Sequence, residues 1–328
     1  MVTPPTPFFK ILSFLIKKTN IYSKSKYSNY IIFVEKRVVP IKSTYNQNQL
    51  RDYSSLFSRS GAELWIKSNF DSINYKIERY DIKWQNSSNA TYLDYLKYVY
   101  QILEKNYQNE YVFKNSFLNE WLISEIGHNN TKVFNEFRVG NALADLVMFN
   151  GKSKVFEIKT EFDSTKRLNL QIENYSKAFN QIFLIVPENK LSVYAKFDES
   201  IGLISFNTNE KSERFTLQRD AITNDDVDSE TIMKVLHTIE YKSIVKSFYG
   251  ELPIMTSFNQ YNICRELIKE IPNNELNKKF IEKMKNRNLE NALSNRYYKE
   301  FNQISLALKL NKKDREIMIK NLKSPIKS

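Results

Sequence analysis

The chain has 328 residues, 41% hydrophobic, 14% aromatic and 26% charged, a composition that supports a packed core and excludes a disordered chain. Its one cysteine, Cys264, excludes an intrachain disulfide framework and a cysteine-based zinc site. The formal net charge of +12 sits at the ends, +7 in residues 1–50 and +8 in residues 265–328 around a middle of −3. That distribution suits a protein that grips a polyanion at its edges and holds cations in its centre.

The densest apolar run, residues 8–16, is broken by Lys10 and Ser13 and falls short of the roughly 20 residues that a membrane span needs. No small-residue cleavage site follows it, so a soluble cytoplasmic protein without stable membrane insertion is expected. The amphipathic stretch 8–18 is expected to be buried in the fold rather than laid on a membrane surface. There is no glycine-rich P-loop. His128 and His237, the only histidines, lie far apart, which disfavours histidine-based metal sites and triads.

In chain order, residues 1–90 form a basic N-terminal region of uncertain fold, with a short strand expected within 30–39. From 91 to 126 the apolar spacing is helical, through Leu93, Leu96, Val99, Tyr100 and Leu103, then Phe113, Phe117, Trp121 and Leu122 after a break near Gln108. Gly127 is the expected helix stop. Three short strands follow at 133–139, 143–149 and 155–160, separated by the turn dipeptides Gly140-Asn141 and Asn150-Gly151. A helix is expected over 165–179, with Asp163 or Ser164 as cap. Strands are expected at 182–186, 191–195 and 201–206, and a polar, acidic loop at 207–229. From about 230 the chain reads as helical, with breaks at Gly250, Pro253 and Pro272. The expected fold class is α/β, a central mixed sheet flanked by helices over 91–206, followed by a basic, mostly helical region over 207–328.

The segment that carries chemistry runs from Asn135 to Asp145 and on to Phe156-Glu157-Ile158-Lys159-Thr160. Side chains alternate along a strand, so Glu157 and Lys159 share one face while Phe156 and Ile158 take the other. A two-residue Asn150-Gly151 loop would set Asp145 against Phe156. A three-residue loop, Asn150-Gly151-Lys152, pairs Phe149 with Ser153 and hence Asp145 with Glu157. Two carboxylates that close repel unless a cation lies between them, and oxygen ligands suit Mg²⁺ or Mn²⁺. A metal held by Asp145, Glu157 and the Ile158 carbonyl, with Glu136 as a third acid, could polarise a phosphate and activate water, with Lys159 orienting the nucleophile or stabilising charge.

Asp145 with Glu157-x-Lys159 resembles the signature of the PD-(D/E)XK nuclease superfamily, the restriction-endonuclease-like fold. Gln171-Ile172-Glu173-Asn174-Tyr175 matches its RecB/Cas4-like QxxxY helix motif. The string Glu157-Ile158-Lys159-Thr160-x-x-Asp163 with Arg167-Leu168 and Gln171 looks like a bacterial family of stand-alone nucleases. Ala144 stands where the signature has proline. The resemblance covers roughly residues 91–206. It implies Asp145 and Glu157 as metal ligands, Lys159 and Gln171 as catalytic residues, and Arg167 and Tyr175 facing the nucleic-acid backbone. Glu120 and Glu125 are weaker candidates for an accessory acid. Lys278, Lys279, Lys283, Lys285 and Arg287 could contact phosphate or be solvated.

The expected function is therefore a Mg²⁺- or Mn²⁺-dependent nuclease that hydrolyses phosphodiester bonds in DNA, in a setting such as phage defence or repair. Cutting both strands with one site per chain would call for a homodimer. The alternative is a nucleic-acid-binding or adaptor protein that uses a nuclease-like fold without turnover.

Overall fold

Residues 47–80, which give little periodic signal, fold into three short helices. The computed structural model describes residues 45–87, 89–107, 109–122, 131–161, 163–207, 214–287 and 296–327. These lie within one compact unit, Ser43–Ser328. The strand expected at 30–39, the amphipathic stretch 8–18, the stop at Gly127, His128 and Glu125 fall outside the described residues.

Helix α1 (Gln47–Leu56) starts where the Asn46 side chain accepts from the Gln49 amide, and α2 (Arg59–Ile66) where Ser58 accepts from Gly61. Helix α3 is Asp71–Tyr80. A capping box between Thr91 and Asp94 opens α4 (Tyr92–Asn106). Asn109 caps α5 (Glu110–Glu120), so the helical stretch divides near Gln108 as its sequence implies. The buried faces of α1 to α4 share one apolar cluster with Phe301, Ile304, Met318, Ile319 and Leu322 near the C-terminal end. The regions before 91 and after 206 thus meet in one core.

Six strands form one mixed sheet in sequential order: β1 (Lys132–Val139), β2 (Ala142–Phe149), β3 (Ser153–Ile158), β4 (Gln181–Pro187), β5 (Gly202–Phe206) and β6 (Phe215–Arg219). The first three pair antiparallel, β3, β4 and β5 pair parallel, and β6 returns antiparallel. The β2–β3 register pairs Phe149 with Ser153 and Leu146 with Phe156. This is the three-residue loop, with Gly151 at φ 123° supplying the conformation that glycine tolerates.

Leu146, Met148, Phe156 and Ile158 pack with Phe113 and Phe117 of α5 on one face of the sheet. Val147, Phe149 and Val155 belong to the layer on the other face. That layer contains α6 (Leu168–Ser176), which a single 3₁₀ turn at Thr165–Arg167 precedes. It also takes residues of α8 (Ser229–Val235), α9 (Thr238–Tyr249), α10 (Gln260–Lys269) and α11 (Asn273–Asn286). Helices α12 (Asn302–Ala307) and α13 (Lys312–Leu322) complete the chain.

Two expected elements differ. The apolar run 191–195 fits a strand, but Leu191–Tyr194 is a short helix, α7, with Tyr194 buried. Strands β4 and β5 are parallel, so the chain between them must cross back over the sheet, which a helix can do and a neighbouring strand cannot. The acidic loop at 207–229 contains β6, whose pattern of one buried residue followed by exposed ones gives little periodic signal.

Gly202 fits because β5 passes close to Phe183, its partner across the ladder. A Cβ there would stand 2.3 Å from the Phe183 ring and 3.0 Å from the Ala221 amide. Phe183 stacks on Phe156, beside Glu157. Gly202→Ala should therefore destabilise the protein by about 1–3 kcal/mol through overpacking. Urea denaturation reads this as a lower midpoint; an unchanged midpoint would show that the ring moves aside freely.

Candidate functional site

Glu157 lies near the end of β3 and is 4% exposed, so its carboxylate must find partners inside the protein. Three side chains meet it. The Lys159 ammonium donates to Glu157 Oε1 at 2.8 Å. The Gln171 amide nitrogen donates to the same oxygen at 2.6 Å, while its carbonyl oxygen accepts from Lys159 at 3.0 Å. The Tyr175 hydroxyl donates to Oε2 at 2.8 Å, with the Leu143 carbonyl as a second acceptor at 3.0 Å. Gln171 and Tyr175 stand one turn apart on α6, so one helical face supplies both.

Carrying the β2–β3 register one step beyond Leu146 and Phe156 sets Asp145 opposite Glu157. The Ile158 amide donates to Asp145 Oδ2 at 2.8 Å. The Lys114 ammonium, from α5, reaches Asp145 Oδ1 at 2.7 Å and Glu110 Oε1 at 2.6 Å. Burial, and after it Asp145, pushes the Glu157 carboxyl above the usual carboxylate range, against Lys159 and Tyr175. For Lys114, burial works against the charged form, but Asp145 and Glu110 outweigh it and raise its pKa above the usual lysine value. The site is thus two carboxylates compensated by two buried ammonium groups.

The structure brings together Glu157, Lys159 and Gln171, with Asp145 on the neighbouring strand, as their sequence spacing implies. Lys114 was not foreseen. Its signal was the polar triplet Lys114-Asn115-Ser116 inside an apolar helix, all three buried between Phe113 and Phe117. Tyr175 is 0% exposed, so it belongs to the core and not to a surface that meets nucleic acid. Ile158 engages the site through its N–H, which donates to Asp145. Glu136 follows next in the row across β1, but it is exposed, has φ 52°, and forms no ion pair among the described residues. A left-handed backbone at a non-glycine residue is strained and breaks the ladder there.

Asp163 is not the helix cap: its carboxylate folds back on the Thr160 amide and hydroxyl at 2.7 Å. Arg167 is exposed at the start of α6, with no ion pair among the described residues. Glu120 pairs with Arg214, whose guanidinium also meets Glu104 at 3.1 Å. On α11 Lys278 pairs with Glu275 and Lys283 with Glu282, and just after it Arg287 pairs with Glu240, which leaves less of this charge for phosphate.

The donor set does not fit Mg²⁺ or Mn²⁺ as it stands. The carboxylate oxygens that would face the ion already accept from Lys114, Lys159, Gln171, Tyr175 and Ile158. Among the described residues no group of three or more His, Cys, Asp or Glu side chains is arranged to hold a metal.

A profile of the family described as "Bacteriophage P4 protein cII" matches residues 103–324. Protein cII of Enterobacteria phage P4 is 28% identical over 172 residues, which are 51% of this chain and 64% of that protein. The chain thus spans less than two thirds of this relative's length. A protein of unknown function from Silicibacter pomeroyi, SPO1766, aligns with 43% of this chain and 93% of its own at 11% identity, with a TM-score of 0.28, too low to carry an argument. The match to the phage family overturns the expected activity of a metal-dependent nuclease. The alternative, nucleic-acid binding or an adaptor role without turnover, fits it better.

Two substitutions test the site as a structural network. Lys114→Met keeps the side-chain length but strands the Asp145 carboxylate, and should cost about 3 kcal/mol. Tyr175→Phe removes one donor to a buried carboxylate and should cost about 1–2 kcal/mol. Chemical denaturation measures both; a neutral Lys114→Met would show that the ion pair contributes nothing to the fold.

Proposed function

Since the chain belongs to the bacteriophage P4 protein cII family, we propose that it is a nucleic-acid-binding protein built on a nuclease-like scaffold that holds its ligand without cutting it. The observation that carries this reading is the internal neutralisation of Asp145 and Glu157 by Lys114 and Lys159. The site spends its charges on holding α5, α6 and the sheet together. The net charge of +12 then belongs to the rest of the molecule, where it attracts a polyanion.

Exposed cations remain available for such a ligand. Arg138 lies near the end of β1, and Lys166 and Arg167 lie in the turn that leads into α6; none forms an ion pair among the described residues. The β1–β2 turn rests on α6, where the Asn141 amide donates to Asn174 Oδ1 at 3.3 Å. That contact joins the hairpin that carries Arg138 to the helix that the Lys166–Arg167 turn leads into. In this reading the three cations contact backbone phosphate, which gives affinity without sequence information. DNA is the favoured ligand. Among the described residues no helix is long and apolar enough to cross a membrane, in keeping with a reading that needs no membrane.

Fluorescence anisotropy with labelled DNA between low and physiological salt tests the proposal. Binding should weaken steeply with salt, and Lys166→Gln with Arg167→Gln should lower the logarithmic salt slope by about 2, or about 1 for each phosphate deprived of its cation. In the same preparation Mn²⁺ should leave the melting temperature unchanged. Absence of binding at low salt, or a Mn²⁺-induced rise that Asp145→Ala abolishes, would overturn the reading.

A further inference from the structure

Many surface cations here stand beside an acid, as Lys177 does with Glu173 and Arg79 with Asp52. Lys83, Lys97 and Lys323 form no ion pair among the described residues and lie over tyrosine rings instead. The Lys83 ammonium is 5.7 Å from the centroid of Tyr98. Lys97, the neighbour of Tyr98 on α4, is 5.2 Å from the ring of Tyr298, and Lys323 is 5.9 Å from the same ring. Lys97 also donates to the Tyr297 carbonyl at 3.1 Å. The Tyr297 ring itself is 81% exposed.

Residues distant in sequence meet here because the chain end is tied to α4. The Tyr92 amide donates to the Ser324 carbonyl at 3.2 Å and the Ile326 amide to the Ala90 carbonyl at 3.0 Å, which holds Lys323 beside α4. The platform is fixed from behind. Tyr98 packs on Trp84 at 5.3 Å and its hydroxyl donates to the buried Asp81 at 3.3 Å. The Tyr298 carbonyl accepts from Arg315 at 3.1 Å. No acid nearby forms an ion pair with these lysines among the described residues. Asp94 accepts from the Thr91 amide and hydroxyl, Asp81 is held by Tyr53 and Tyr95, and Glu300 has its Oε2 buried.

From this placement we infer that the strip Lys83, Tyr98, Lys97, Tyr298 and Lys323, with the exposed Tyr297 next to Tyr298 in the chain, binds single-stranded nucleic acid. The inference rests on the nucleic-acid-binding reading and names a surface and a ligand class for it. Three ammonium groups without an acid partner among the described residues match a phosphate backbone. An exposed tyrosine ring beside them offers a face on which an unpaired base stacks, which the bases of a duplex, already stacked, cannot use. The cation–ring contacts already hold the lysines near the rings, so little side-chain freedom is lost on binding.

The test is anisotropy with the full chain and a labelled oligothymidine, beside a duplex of the same length. Tyr297→Ala should weaken binding of the single strand about 5- to 100-fold, while Tyr297→Phe, which keeps the ring, retains it. Lys97→Gln with Lys323→Gln should lower the logarithmic salt slope for the single strand by about 0.7 for each phosphate deprived of its cation. Melting curves confirm that each variant is folded. Binding by the wild type that none of these changes alters would overturn the strip and leave the nucleic-acid reading standing. Equal losses on duplex and single strand would overturn the assignment to single strands. No binding of either by the wild type would overturn both.

Discussion

A carboxylate buried at the end of a central strand constrains everything around it. Glu157 cannot be hydrated where it lies, so each of its oxygens must be satisfied by a protein donor. Meeting that demand fixes the position of α6, which presents Gln171 and Tyr175, and of Lys159 just beyond the strand. Asp145 repeats the demand one strand away and is met by the Ile158 amide and by Lys114 of α5. The two helices that flank the sheet are therefore tied to it by charge as well as by apolar packing. Replacing such a network by apolar residues could be neutral or stabilising in energy. What the network confers is register: each partner works at one position only, and a shift of one residue would leave Glu157 buried and unpaired and Asp145 without its partners.

The same physics explains which parts of the structure were legible in the sequence. Period and turn chemistry located β1 to β5 and the break between α4 and α5. Loop length decided the β2–β3 register, because only a three-residue loop sets Asp145 beside Glu157. These are local signals. Lys114 was invisible to them, since its role depends on the packing of α5 against the sheet, which no local period encodes. Tyr175 shows the limit from the other side. Its spacing from Gln171 placed both on one helical face, but which side of that face is buried depends on the strands beneath. The helix at Leu191–Tyr194 had an apolar run that fits a strand equally well. The parallel pairing of β4 with β5 decided it, and that pairing is a property of the whole sheet.

The functional misreading has the same origin. A pair of acids with a lysine two residues along is equally suited to a metal centre and to an ion-pair network. The difference lies in what supplies the compensating positive charge. A divalent ion leaves no trace in the sequence, and a lysine from another helix leaves one that is easily passed over. Here the charge comes from α5, through a side chain 5% exposed that also pairs with Glu110. The motif is intact, and its carboxylates are paired with lysines. The membership of the chain in a phage protein family points the same way.

Charge pairing also divides the molecule into two kinds of lysine. Lys114 and Lys159 are buried and compensated, and their electrostatic reach outside the protein is small. Lys83, Lys97 and Lys323 have no acid partner among the described residues, and they collect on rings instead of dispersing. A polar aromatic surface carrying uncompensated charge stabilises the fold little, because exposed cation–π contacts contribute only about 0.5–1 kcal/mol each. Its composition is therefore poorly explained by folding alone. The sheet and its buried ion pairs account for the architecture, and the basic, tyrosine-bearing surface on α4 and the chain end is where a ligand would draw on it.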